Sequence, residues 1–218
     1  MNKKIKDKYI SGKLFIIIGI FLILTSITML SINKYKELIA GTNSKTALEI
    51  IKNNLEQIEN NKININDESN INNIYNQEKI TNNKEMITTN INGYDYIGTL
   101  TIPTLNLELP IMSEYDYNRL EIAPCRYYGS IYTNDLIICA HSYRTHFKYL
   151  NKLKQSDIII FTDIEGNNYI YEVLEIEVLN PTQVSEMINN NFDLTLYTCT
   201  NDGQNRITIR CNQIYKDI

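Results

Sequence analysis

The spacing of apolar residues changes along this chain and divides it into three regions. Residues 14–32 form one apolar run without a single charge. From about residue 94 the apolar residues fall instead into short runs separated by Gly, Pro, Asn and Asp, a pattern typical of β-strands joined by turns. The region between them, 33–92, is rich in Asn, Ile, Glu and Lys. The pattern therefore predicts an apolar helix, a connecting segment and a mainly β domain over 93–218.

The apolar run Leu14–Ile32 predicts a membrane anchor. A helix of 19 residues rises about 1.5 Å per residue and nearly crosses a hydrocarbon layer of about 30 Å. Five lysines precede the run and two closely follow it, which favours a cytoplasmic N-terminus, residues 1–13, and an extracellular remainder. A cleaved signal peptide is the alternative, but its apolar region would be unusually long and no small-residue cleavage site follows promptly. We predict a single-pass anchor that is retained.

The connecting segment 33–92 gives two different signals. Apolar residues between Lys34 and Glu59 have helical spacing, which Gly41 and Asn43 are expected to interrupt. Residues 60–92 have little aliphatic clustering and predict a tether of low order, with a short helix packed on the domain as the alternative. We therefore treat this segment as a helical and low-complexity linker.

The β domain is predicted from seven apolar runs and the turn signals between them. Glu165-Gly-Asn-Asn168 is a plausible hairpin turn. Two further stretches, 117–123 and 147–153, predict short helices. Seven or eight short strands with little helix favour a closed barrel or a sandwich. The predicted strands are 96–102, 105–112, 136–140, 157–162, 169–179, 194–198 and 206–212.

Composition excludes several classes of function. The net charge of −4, with no dense basic patch beyond the N-terminus, argues against nucleic-acid binding. The four cysteines contain no C-x-x-C pair and so match no zinc site. No acidic cluster clearly forms a calcium site, and surface solvation is the expected role of Glu114, Asp116 and Asp163. No cofactor is predicted, and modulation by calcium is left open.

A thiol, an imidazole and a guanidinium lie at the ends of predicted strands. Cys199 ends Leu-Thr-Leu-Tyr-Thr-Cys, His141 ends Leu-Ile-Ile-Cys-Ala-His, and Arg206 opens the last strand. A cysteine attacks a carbonyl as the thiolate and needs a base or cation nearby, while an arginine can donate to a developing oxyanion. Taken singly, the histidine is more often a satisfied residue at a strand edge, and the arginine is more often a solvated strand residue. His146, near a predicted helix start, is the weaker candidate base.

Alternation along the last strand places Ile207, Ile209 and Cys211 on one face and Arg206 and Arg210 on the other. The apolar face predicts a core position, so Cys211 is expected to be a buried structural thiol. Periodicity alone does not choose between the two arginines.

Together these residues resemble the sortases, the membrane-anchored cysteine transpeptidases of Gram-positive bacteria. The resemblance covers about 96–213 and depends on the thiol motif Tyr197-Thr-Cys199-Thr, the histidine motif Ile137-Ile-Cys-Ala-His141-Ser and Arg206-Ile-Thr-Ile-Arg210. The chain departs from the family in Ala140 and Ser156, where glycine is usual. The family implies a closed β-barrel of seven to eight strands with short helices, following an N-terminal transmembrane helix.

The resemblance also implies the roles of the residues. Cys199 would be the nucleophile, His141 the acid and base, and Arg206 the residue that binds the oxyanion or substrate; Thr198 and Tyr143 are candidates for the groove wall or for the scaffold. The expected reaction cleaves an LPXTG-like surface-protein signal between Thr and Gly and transfers the acyl group to an amine of a peptidoglycan precursor or a pilin. An A-, D- or E-like class fits the short loops better than B or C.

Two other functions stay open at this stage. A membrane-anchored binding module would use the thiol and imidazole only for packing, and a thiol hydrolase would use water as the acyl acceptor. The extracellular location also allows a Cys199–Cys211 or a Cys125–Cys139 disulfide. A disulfide that engaged Cys199 would argue against thiol catalysis.

Overall fold

The computed structural model describes residues 3–65, 85–189 and 191–217, so most of the predicted low-order tether, 66–84, lies outside the described residues. Two compact units divide the chain at Ile39 and Ala40. The first helix, α1, covers Lys3–Ile65 and contributes to both.

Within the first unit, α1 has the properties of a membrane helix. Among the described residues, it is the one helix long and apolar enough to cross a membrane by length and composition. Large apolar side chains such as Phe15 and Leu30 are exposed along it. The hydroxyls of Thr28 and Ser31 donate to the carbonyl oxygens of Leu24 and Ile27 at 2.8 and 2.9 Å. Internal bonds of this kind suit a medium without water.

Within the second unit, residues 40–65 of α1 bring an apolar stripe to the β domain. Ala40, Ala47 and Ile51 are all buried, at the spacing of one helix face. Gly41 does not interrupt the helix, although the sequence predicted a break there. A Cβ on Gly41 would lie 2.8 Å from Cγ2 of Thr145, so the missing side chain allows close packing. Part of the predicted linker is therefore packed onto the domain.

Nine strands and two further helices follow. Helix α2 covers Tyr117–Leu120 and α3 covers Val184–Ile188, and a single 3₁₀ turn, Leu150–Lys152, replaces the helix predicted over 147–153. The short strands β1 and β4 were not predicted from the sequence. In chain order, β1 to β9 are Thr89–Ile91, Tyr94–Ile102, Leu107–Met112, Cys125–Tyr128, Leu136–Cys139, Ile158–Asp163, Asn168–Leu179, Leu194–Cys199 and Arg206–Asp217.

Strands β2 to β9 close into an eight-stranded barrel, which confirms the predicted fold. The order is β2-β3-β4-β5-β8-β9-β7-β6, with β6 pairing back onto β2 and β1 attached outside the ring. Closure brings Gly98 opposite Asp163, and a Cβ on Gly98 would meet the carbonyl oxygen of Thr162 at 2.1 Å. The absence of a side chain at Gly98, whose φ is +151°, permits this approach.

Of the three apolar clusters among the described residues of the second unit, two pack against the strands that lead to the site. The larger fills the barrel and includes Leu100, Phe161 and Ile209, which are fully buried. The smaller contains Ala47 and Ile51 of α1 together with Met112, which ends β3, and Cys125, which starts β4. Strand β5, which leads to His141, is thus packed from both the inside and the outside of the barrel.

Candidate active site

The strands β5 and β8 lie side by side and run parallel, with Cys139 in register with Tyr197. Beyond this pair, the amide of Ala140 donates to the carbonyl oxygen of Tyr197 at 3.3 Å, and Oγ1 of Thr198 donates to the carbonyl oxygen of Ala140 at 2.8 Å. The carboxyl ends of parallel neighbours meet at one edge of the sheet. His141 and Cys199 follow directly after Ala140 and Thr198, so the structure brings them to neighbouring strand ends.

Arg206 lies directly opposite Cys199 across the antiparallel pair of β8 and β9. Side chains of directly opposed residues share one face of the sheet, with Cβ atoms about 4.5–5.5 Å apart. The turn between them is held by Thr200, whose amide donates to the carbonyl oxygen of Asn205 at 2.9 Å and whose Oγ1 accepts from the Asn205 amide at 3.0 Å. Local pairing therefore places the side chains of Arg206 and Cys199 on the same face of the sheet.

Arg210 occupies a different environment from Arg206. It is 2% exposed, and its guanidinium donates to Oε1 of Glu177 at 2.7 Å and to Oγ1 of Thr195 at 3.0 Å. It also donates to the main-chain oxygens of Glu186 and Met187, at 2.8 and 3.2 Å. Arg210 thus fastens the segment around α3 to the barrel. Arg206 is half-buried and donates to the main-chain oxygens of Gly203 and Asn205 at 3.4 and 3.1 Å.

Aromatic rings surround His141, which is half-buried. The ring of Tyr143 lies 4.9 Å from that of His141, and the ring of Tyr117 lies 6.0 Å away, edge-on. The hydroxyl of Tyr143 also bonds Oε2 of Glu121 at 3.4 Å. Tyr143, predicted as a groove or scaffold residue, is therefore a direct neighbour of the imidazole.

His146 also packs against Tyr143, with ring centroids 5.6 Å apart. It is 1% exposed, and neither ring nitrogen has a hydrogen-bond partner among the described residues. Burial, and secondly the nearby positive charge of His141, lower the pKa of His146 to about 4. A neutral, enclosed imidazole at this position is closed off from a substrate, so His141, which follows the strand next to β8, is the better candidate base.

Cys199 is half-buried, and the other three cysteines are buried. Burial raises the pKa of Cys139 to about 12, and it raises the pKa values of Cys125 and Cys211 further. These three thiols are held in the protonated form, which is the unreactive one. Cys211 is buried in the barrel core, as predicted. Thr198 is also buried and bonded to the scaffold, so a role for it in the groove wall stays a prediction.

A row of tyrosines, missed in the sequence, leads away from the thiol. Tyr197 shares a strand face with Cys199, Tyr127 packs edge-on against Tyr197 at 5.5 Å, and Tyr115 packs against Tyr127 at 5.4 Å. The positive charge of Arg206 partly offsets the rise that burial causes in the pKa of Tyr115. Tyr115 and Tyr127 line a surface cleft of about 430 Å³, together with Ser113, Glu114, Arg126, Tyr128 and Gly129.

The acidic residues considered for calcium have other partners. Arg119 pairs with Glu114 and with Asp116, both at 3.0 Å. Asp163 is 4% exposed, in contrast to the predicted solvation, and accepts the amides of Glu165 and Asn167 at 2.9 Å. It therefore organises the hairpin turn between β6 and β7.

Comparison with known families agrees with this fold. The model of the sortase domain matches residues 100–214, just over half of the chain. The chain belongs to the sortase family, whose members are cysteine transpeptidases. No curated protein sequence matches it significantly.

Solved sortase structures resemble the chain as well. Sortase A from Corynebacterium diphtheriae is 29% identical with a TM-score of 0.50, and the match covers 56% of this chain and 62% of that one. Sortase C1 from Streptococcus agalactiae is 23% identical with a TM-score of 0.51, over 59% of this chain and 72% of that one. Sortase C from Streptococcus pneumoniae is 24% identical with a TM-score of 0.50, over 56% and 71%. Similarity to both types does not distinguish the class of this chain.

Proposed function

We propose that this chain is a membrane-anchored sortase that uses Cys199, His141 and Arg206 to transfer an acyl group from an LPXTG-like sorting signal to an amine. The observation that carries the proposal is the register of three neighbouring strands. Cys199 is directly opposite Arg206, and it ends the strand beside the one that leads to His141. Membership of the sortase family and a half-buried Cys199 among three buried thiols support the same assignment.

The first half-reaction forms a thioester. The thiolate of Cys199 attacks the carbonyl carbon of the threonine in the signal, and the guanidinium of Arg206 donates to the developing oxyanion. As the tetrahedral intermediate breaks down, the bond to the glycine nitrogen is cleaved and His141 gives that nitrogen a proton. The products are an acyl-enzyme at Cys199 and a free amino-terminal glycine segment.

The second half-reaction releases the enzyme. An amine of a peptidoglycan precursor or of a pilin attacks the thioester carbonyl, and His141 accepts the proton that the nitrogen loses. A new amide forms and Cys199 leaves as the thiolate. The imidazole thus returns to its starting protonation state after each cycle.

Access to both substrates requires an extracellular domain. The five lysines before the apolar run and the two that closely follow it favour a cytoplasmic N-terminus with residues from 33 onward outside the cell. The family is associated with the cell surface, which agrees with this orientation. We keep the A-, D- or E-like class as a prediction, and no cofactor is part of the proposed mechanism.

The test uses a fragment that begins at Ala40, because the compact unit starts there and the apolar stripe of α1 packs on the barrel. The fragment is incubated with an LPXTG-type peptide with and without an added amine, and products are identified by mass spectrometry. We expect cleavage after threonine and an amide adduct with the amine. Cys199→Ala should abolish both, while Cys211→Ala, which removes a buried core thiol, should retain them.

Three other results would contradict the proposal. Equal product with and without amine, and no adduct, would indicate a thiol hydrolase. Binding of the peptide without cleavage, unchanged in Cys199→Ala, would indicate a binding module. Undiminished transfer by His141→Ala would remove the acid–base role assigned to His141.

A further inference from the structure

Two buried cysteines face each other across the strands next to the site. Cys125 of β4 and Cys139 of β5 are directly opposed in the antiparallel register. They are 0% and 2% exposed. Opposed residues of an antiparallel pair have Cα atoms about 4.5–5.5 Å apart, and disulfides span about 4.4–6.8 Å. This register is therefore compatible with a disulfide between them, although both thiols are free in this structure.

The other cysteines have no such partner. Cys199 is opposite Arg206, and Cys211 is opposite Leu194 on one side and Val173 on the other. Of the four thiols, only Cys125 and Cys139 are matched across a ladder. Cys125 and Cys139 are thus the pair placed to form a disulfide, whereas Cys199 is half-buried and Cys211 lies alone in the core.

We propose that Cys125 and Cys139 form a disulfide while the exported chain folds, and that this bond fixes the strand leading to His141 against β4. The inference rests on the extracellular location in the proposed function, because disulfides persist in oxidising surroundings and are rare in the cytosol. It concerns neither the nucleophile nor the substrate. The two thiols would otherwise be small apolar residues in the cluster that joins α1 to the barrel.

The bond forms by thiol–disulfide exchange with an external disulfide, either a small molecule or a protein oxidant. The thiolate of one cysteine attacks that disulfide, forms a mixed disulfide and releases one thiol. The thiolate of the other then attacks the cysteine sulfur in the mixed disulfide and releases a second thiol. Two protons and two electrons pass from the pair to the oxidant, which is reduced to two thiols.

The folded barrel protects both thiols, so the timing of oxidation matters. Burial raises their pKa values, that of Cys139 to about 12, and this leaves little thiolate for exchange. In the unfolded chain both have ordinary pKa values and full access to an oxidant. We therefore expect the disulfide to form during folding. Protein that has already folded in a reducing compartment should keep both thiols reduced after an oxidant is added.

The bond has two consequences for the site. It links Cys139, at the end of β5 and two positions before His141, to Cys125, at the start of β4. Strand β4 also carries Tyr127 of the cleft. It also consumes the thiol of Cys139, whose pKa is raised by burial and, to a lesser extent, by the nearby Cys199. Cys199 is thereby left without a nearby free thiol with which to pair.

The test uses the full chain exported into the membrane of a Gram-positive host. The protein is denatured with an alkylating reagent and without reductant, then digested and mapped by mass spectrometry. We expect a cross-linked peptide that contains Cys125 and Cys139, with Cys199 and Cys211 alkylated. The same chain made in a reducing cytoplasm should have four alkylated cysteines.

Thermal unfolding of the detergent-solubilised full chain provides the second measurement. Closing a loop of this length raises the midpoint by about 6–12 °C for a domain of this size, so reductant added during unfolding should lower the midpoint by that amount. Cys125→Ala should have the lower midpoint with or without reductant. Cys211→Ala is the matched control and should keep the reductant-dependent difference.

The outcomes separate this inference from the proposed function. Protease treatment of intact cells first reports whether the barrel lies outside. If it does, and Cys125 and Cys139 are nevertheless both alkylated, the disulfide is overturned while the transfer reaction stands. A cross-link that includes Cys199 would overturn both, and an intracellular barrel would remove the basis of both. Failure of the peptide assay alone would leave a mapped Cys125–Cys139 bond intact.

Discussion

Oγ1 of Thr198 donates a hydrogen bond to the carbonyl oxygen of Ala140 at 2.8 Å, and each of these residues directly precedes a proposed catalytic residue. The bond is buried and links strands that are far apart in the sequence. It holds the ends of β5 and β8 together directly before His141 and Cys199. The threonine hydroxyl therefore adds to the ladder of β5 and β8 in setting the position of the thiol relative to the imidazole.

Removing that hydroxyl should weaken both the fold and the reaction. Thr198→Val keeps the shape but leaves a buried carbonyl without this donor, so we expect a loss of about 1–3 kcal/mol in the free energy of unfolding and a lower rate of acyl-enzyme formation. Denaturant unfolding and single-turnover peptide cleavage measure the two effects. Thr198→Ser retains the hydroxyl and serves as the control. Equal stability and rate in all three proteins would contradict the role assigned to this bond.

Arg206 should matter for rate and little for stability. Arg206→Ala removes the donor beside Cys199 and should lower kcat by about 10²–10³-fold, the effect typical of losing an oxyanion donor. Arg206→Lys keeps the charge without the planar fork and should recover only part of the rate. The check is steady-state cleavage together with thermal unfolding. A large drop in the unfolding midpoint would show instead that this arginine is structural.

Arg210 should behave in the opposite way. Its replacement by methionine leaves the carboxylate of Glu177 without its partner at 2.7 Å and frees the main-chain oxygens around α3. Arg210 is buried while Glu177 is partly exposed, so the main cost is that of leaving buried acceptors without a donor, about 1–3 kcal/mol each, which predicts a marked loss in the free energy of unfolding. Denaturant titration tests this, and Glu177→Gln with Arg210→Met should recover part of the loss. A fully stable Arg210→Met variant would contradict the structural assignment.

His146 should make stability depend on pH. Its pKa is about 4 in the folded chain against 6.5 ordinarily, so between these values the unfolded chain binds a proton that the folded chain does not. The free energy of unfolding should therefore be fully retained above pH 6.5 and fall by about 3 kcal/mol as the pH drops to 4. The measurement is urea unfolding across this range.

The matched variant for this prediction is His146→Phe. It keeps an aromatic ring in the cavity and removes only the titrating nitrogens, which have no hydrogen-bond partner among the described residues. Other groups also titrate in this range, so the informative quantity is the difference between the two proteins. We expect the two curves to converge above pH 6.5 and to separate below it. Parallel curves would show that His146 does not carry the dependence.

Most of the barrel could be predicted because its strands are long apolar runs bounded by turns. The strand Cys125–Tyr128 was missed because Cys-Arg-Tyr-Tyr has neither alternation nor an apolar run, and only pairing with its neighbours makes it extended. The break expected at Gly41 is absent because this part of the helix is held by the packing of Ala47 and Ile51, and the missing side chain of Gly41 leaves room for Thr145. Local propensity fails at both positions because tertiary packing decides them.

The candidate site, too, could be predicted only in part from the sequence. Cys199, His141 and Arg206 could be proposed from the sequence because thiols and imidazoles are few in this chain and these three residues lie at the ends of apolar runs. The tyrosines of the cleft could not, since 16 tyrosines offer no spacing that selects Tyr115 and Tyr127. Alternation along β8 would have identified Tyr197, which shares a face with Cys199. The remaining neighbours come from distant segments that only the closed barrel brings together.

Cys199 and Arg206 belong to a hairpin, whereas His141 reaches them only through the pairing of β5 with β8, more than fifty residues apart in sequence. Closing a short loop costs less entropy than closing a long one, so we expect the hairpin to form well before the ring is complete. A partly folded chain would then have Cys199 opposite Arg206 but would lack His141 as the acid and base. Transfer activity would therefore appear only after the barrel has closed. The cell would then not be exposed to an enzyme whose cleft cannot yet select its substrate.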